Sequence, residues 1–170
     1  MKLSNMILKR KLQGLLQSGN HERRYLSYDE IRTMVVFVNA SDFDLIYAEA
    51  DSLRKAGKKL KFVVFGKGVK EAEDVISVSG KQFISRFGLP TEHCFSVFKK
   101  LHADVFVDLT ADTSSLHAYL YWLGSTFLRI GIGSKPVQFV YDIELSYKES
   151  ADIKSIFEQI LFYLRTIRAK

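Results

Sequence analysis

HADVFVDLTADTSSLHAYLYWLGSTFLRIGIG, residues 102–133, is the stretch whose reading decides the fold. A near-continuous apolar run, Val105–Leu109, leads into a polar crest, then an amphipathic segment ending at Gly124, then a second apolar run, Phe127–Ile130. Short apolar runs bounded by turn residues fit strands buried on both faces. Such strands occur in parallel sheets whose crossover connections are helices. The stretch therefore reads as a βαβ unit. Ligands of such sheets collect at the carboxyl ends of the strands, which puts Asp108, Thr110, Asp112, Ser114 and Ser115 where any chemistry would take place.

The same pattern recurs upstream. Met34–Val38 reads as a buried strand, followed by Asn39-Ala40-Ser41-Asp42, where Ser41 can cap a helix from about Phe43 to Ala56. Ile46, Ala50 and Leu53 form its inward stripe, Gly57 supplies the stop, and Leu60–Phe65 is the next strand. Further along, Val75–Val78 reads as a short strand, His93–Leu101 as a helix, and Val137–Leu145 as an alternating edge strand. Ser146 and Glu149 have the spacing of another capping box. A last helix over about 150–167 repeats Ile153, Ile156, Phe157, Ile160, Leu161 and Leu164 on one face. Two heptads are too short for an isolated coiled coil, so this helix lies on the sheet.

Ahead of the first strand, residues 3–17 can form a helix with Leu8, Leu12, Leu15 and Leu16 inside an arc of about 100°. Leu3, Met6 and Ile7 lie elsewhere around it, so the helix touches either the domain or a partner. The expected organisation is a basic helical arm and connection over 1–32, then a Rossmann-like α/β domain over 33–170. That domain is a three-layer sandwich around a mostly parallel sheet of five to six strands.

Composition narrows the function classes. Of 170 residues, 47% are hydrophobic and 13% aromatic, which suits a packed globule and not a disordered chain. One cysteine, Cys94, forms no internal disulfide and no thiolate metal site alone, so a reduced, cytoplasmic setting is expected. No window approaches the ~20 apolar residues of a transmembrane helix. The net charge of +6 is uneven along the chain: residues 1–24 carry six basic groups against Glu22, and the remainder carries nineteen against eighteen acids. Lys9, Arg10, Lys11, Arg23 and Arg24 thus point to an anionic partner: RNA, ribosome, acidic membrane surface or a larger complex.

Signals for catalysis are weak. Gly66-Lys67-Gly68 lacks the third glycine of a dinucleotide fingerprint, and Gly131-Ile132-Gly133-Ser134-Lys135 lacks the spacing of a triphosphate loop. His21, His93, His102 and His117 are scattered, so no metal and no cofactor is expected. Cys94 shares an apolar helix face with Val97, Phe98 and Leu101, which makes it a core residue. His117 is a candidate base without a matched nucleophile. What remains is a ligand contact at the crest by Asp108, Thr110, Asp112, Ser114 and Ser115, joined by Asn39 and Ser41 if the two strands are neighbours. A structural account competes: Ser114 caps the helix, Asp112 complements its dipole and Asp108 binds loop amides.

Two resemblances follow from these residues. The run DVFVDLT, with Asp108, Ser115 and Arg129-Ile130-Gly131 in register, resembles the N-terminal half of heptosyltransferase-type glycosyltransferases over about thirty residues. That likeness implies a nucleotide-sugar or other small phosphate-bearing ligand at the crest. Across most of the chain, the basic first helix, VFVNASDFDLI, ADVFVDLT, RIGIG, YDIEL and the closing FYLRTI resemble a family of short Bacteroidetes α/β proteins whose domain has no known function. That second resemblance implies cytoplasmic location and this architecture, with no catalytic residue. The residues thus favour a non-catalytic binding or adaptor module acting through the basic arm, with a small-molecule site at the crest as the alternative.

Overall fold

Residues 3–18, 22–70, 72–133, 140–146 and 151–166 are described here, from a computed structural model of the chain. Six strands, β1 Thr33–Asn39, β2 Lys59–Phe65, β3 Val75–Val78, β4 His102–Asp108, β5 Ser125–Ile132 and β6 Ile143–Leu145, form one sheet in the order β3-β2-β1-β4-β5-β6. Every neighbouring pair is parallel. The α/β architecture expected from residues 102–133 is the one found. The central strands are apolar on both faces because helices cover both.

One layer consists of α1 Leu3–Gln17, α4 Glu92–Lys99 and α5 Ser115–Leu123. It packs on Val35, Phe37, Val63 and Phe106. The opposite layer, α2 Phe43–Glu49, α3 Asp51–Lys55 and α6 Ile153–Thr166, packs on Met34, Val36, Phe62, Val105 and Val107. Alternate residues of one strand thus feed different cores. Helix α1 lies on α5, with Leu8 and Leu12 buried and Leu15 and Leu16 partly so.

Three local expectations are corrected. The helix after β1 is two short ones, interrupted at Ala50, the C-cap of α2 and N-cap of α3. Its start is Asp42, with no side-chain cap, and Ser41 is exposed; the turn is closed instead by the Asp42 amide on the Asn39 carbonyl at 3.0 Å. The edge strand begins only at Ile143, because Tyr141 turns inward and Asp142 spends its carboxyl on the Arg129 amide at 2.8 Å. Residues 137–139 of that expected strand, and Glu149 of the second capping box, lie outside the described residues.

Candidate functional site

Strands β1 and β4 are neighbours, with Phe37 opposite Asp108. From β1 the chain runs into α2 on one face, and from β4 into α5 on the other. The strand order reverses between them, which makes this the switch point where sheets of this kind open a crevice at the carboxyl ends. Asn39 spans it, its amide nitrogen donating to the Thr110 carbonyl at 3.2 Å.

Asp108 ends β4 and is fully buried. Its Oδ1 accepts from the Thr110 amide at 3.0 Å and the Thr110 hydroxyl at 2.7 Å. Its Oδ2 accepts from the Tyr141 hydroxyl at 2.6 Å and lies 2.8 Å from His117 Nε2. A carboxyl group accepts best when ionised, so the contact favours the imidazole form with its proton on Nε2. His117 Nδ1 is buried and, among the described residues, has no hydrogen-bond partner; the Phe65 ring lies 4.8 Å away, centroid to centroid.

The loop that builds this cluster is local. Ala111 adopts φ +51°, in the left-handed region that few non-glycine residues occupy, and the turn it makes brings the Asp112 amide to the Thr110 hydroxyl at 3.2 Å. Asp112 Oδ1 accepts from the Ser114 amide at 2.6 Å, and Ser114 Oγ accepts from the His117 amide at 3.1 Å as the N-cap of α5. Ser114 and Asp108 therefore hold the capping and amide-binding positions that the sequence allowed. Tyr121 fixes α5 to the sheet, its hydroxyl reaching the Phe106 and Ile130 carbonyls at 3.1 and 3.2 Å. The Tyr141 ring lies over Gly131, where a Cβ would fall 2.0 Å from it. Burial pushes both phenols well above their ordinary value, so they remain donors.

Chemically the cluster holds an acid and an imidazole but closes over them: Asp108, Thr110, Ser115, His117 and Tyr141 are all buried. The hydrogen bonds of Asp108 with Thr110, His117 and Tyr141 tie together β4, α5 and the segment before β6. Asp112 and Ser114 stand exposed on the rim, and Ser41 is exposed across the β1 turn with no side-chain hydrogen bond among the described residues. Open space lies to the other side of Asn39. A cavity of about 410 Å³ has Ala40, Phe43, Asp44, Tyr47, Gly68 and Lys70 in its lining. Among the described residues, no three His, Cys, Asp or Glu side chains gather as a metal site, and no helix is long and apolar enough to cross a membrane.

The five arm residues separate. Lys9, Arg10 and Lys11 are exposed on α1. Arg23 instead pairs through Nε with the buried carboxyl of Asp142 at 2.6 Å, and the Arg24 amide donates to the Phe127 carbonyl of β5 at 3.2 Å. The positive charge is divided by layer. Lys9, Arg10 and Lys11 are exposed in the same helix layer as Lys81, Arg86, Lys99 and Lys100 of the α4 segment, where the acids are Glu92 and, ahead of α5, Asp112. In the opposite layer, residues 42–56 and 151–166 carry six acids against four basic groups. Counting charge along the chain hid this division, because basic residues from two distant segments meet on one side of the sheet. Tyr141 and the buried Arg129, stacked 4.1 Å over the Trp122 ring, carry no signal of burial in a sequence that shows them as part of strands.

A model described as Family of unknown function (DUF6913) matches residues 5–167. No curated protein and no solved structure matches the chain. The chain belongs to that family.

Proposed function

We propose that this member of a family of unknown function is a non-catalytic binding module that presents its α1/α4 face to a polyanionic surface or macromolecule. The observation that carries the reading is the division of charge between the two layers, seven basic groups against two acids on one side and four against six on the other. A face of one sign attracts polyanions over a Debye length and orients the molecule toward them. Leu8 and Leu12 hold α1 to α5, so Arg10 points away from the sheet and Lys9 and Lys11 flank the helix, all three exposed on a fixed support. The sealed state of the Asp108–His117 pair supports binding over acid–base catalysis, because a general base must reach its substrate.

Salt elution from immobilised heparin tests this. Wild type is expected to elute at high salt, the triple variant Lys9→Glu, Arg10→Glu, Lys11→Glu at much lower salt, and Lys55→Glu on the opposite layer with wild type. Co-elution of wild type and the triple variant overturns the reading.

A second reading, a small phosphate-bearing ligand at the crest, is favoured by the switch point together with the 410 Å³ cavity at Ala40, where Lys70 stands in the lining with Asp44. It would use the open β1–β2 side of the crest more than Asp108 itself. A thermal-shift screen with nucleotide sugars and sugar phosphates tests it; no shift with any of them removes it.

A further inference from the structure

We propose that the partner of this charged face is a bilayer surface rich in anionic lipid, an inference that rests on the binding-module reading and names its occupant. On α1, Leu3, Met6 and Arg10 recur at i, i+3 and i+7, a stripe on the side of the helix opposite Leu8 and Leu12. Leu3 is 68% exposed and Met6 52%. The first turn of α1 touches the loop before α4, since a Cβ at Gly88 would lie 3.6 Å from Ser4 Oγ. Phe87, 66% exposed, stands there with the Arg86 guanidinium 4.7 Å over its ring. Leu3 and Met6 thus stand exposed on the stripe of Arg10, and Phe87 stands exposed beside Arg86 in the same helix layer.

A polyanion in solution satisfies only half of that surface. Nucleic acid takes up the cations and stacks bases on aromatic planes, but it offers nothing to Leu3 and Met6. The bilayer interface takes both: apolar side chains enter the headgroup–acyl boundary while Lys and Arg sit on acidic headgroups. The apolar residues alone are too few for stable insertion. Binding therefore depends on anionic lipid and weakens with salt.

Co-sedimentation with vesicles of phosphatidylcholine, with and without phosphatidylserine, tests this, alongside heparin elution of the same proteins. Three variants are compared: Lys9→Glu/Arg10→Glu/Lys11→Glu, Leu3→Ser/Met6→Ser/Phe87→Ser, and Lys55→Glu, each checked by circular dichroism. Wild type and Lys55→Glu are expected to sediment only with phosphatidylserine vesicles. The charge variant should lose about tenfold or more of the partitioning. The Ser variant should lose several-fold of the partitioning while keeping its heparin elution. Retention on heparin without sedimentation overturns the bilayer proposal and leaves the binding module standing, as does a Ser variant that sediments like wild type. Loss of heparin retention by wild type overturns both.

Discussion

Replacing Asp108 by Ala would remove an acceptor from the Tyr141 hydroxyl, both Thr110 donors and His117 Nε2 in a buried cluster. Breaking a buried, hydrogen-bonded group of this kind costs about 3–5 kcal/mol. Urea denaturation of Asp108→Ala should show that loss, and an unchanged midpoint would mean the cluster contributes no net stability. Half of this cluster was legible in the sequence. Asp108, Thr110 and Ser114 are set by distance from a strand end and a helix start, and side chains there bond neighbouring amides. Tyr141 was not legible, since it reaches Asp108 across thirty-three residues and its alternating context reads as an edge strand. Only the pairing of β5 with β6 brings it over Gly131.

At the scale of elements, the helix faces were readable wherever the apolar spacing was long. The buried residues of α6, Ile156, Phe157, Ile160, Leu161 and Leu164, all belong to the sequence stripe, whose first member, Ile153, is partly buried. On α1 the Leu8–Leu12 stripe was equally plain, but a stripe names no partner, and α5 as its support follows only from the sheet order. The break at Ala50 left no sequence signal, because alanine is the best helix former. Leu12 is fully buried between α1 and α5, so Leu12→Ala should cost about 2–5 kcal/mol of unfolding free energy. Hydrogen exchange should then rise first along Leu3–Gln17, because α1 meets the body through that stripe. Uniform exchange across the molecule would refute α1 as a separately opening unit.

For the whole molecule, buried acids that ionise late set an alkaline limit. Burial pushes the Cys94 thiol from 9.0 to about 11, and it raises the phenols of Tyr119, Tyr121 and Tyr141. The unfolded chain releases these protons first, so between pH 9.0 and about 11 it binds fewer protons than the folded chain. Stability is complete below that window and falls as pH rises through it. Thermal unfolding followed across the window should show Tm dropping steadily, with tyrosinate absorbance from the buried phenols appearing only on unfolding; a flat Tm would contradict their burial.

The placement of α1 on α5 also has a consequence for synthesis. The helix Leu3–Gln17 has as its seat Ser115–Leu123, which is synthesised about a hundred residues later. The central strand Thr33–Asn39 likewise waits for His102–Asp108 before both its flanks are filled. Until that seat emerges, Leu8, Leu12, Leu15 and Leu16 travel uncovered on a nascent chain, a stretch suited to a chaperone's grip.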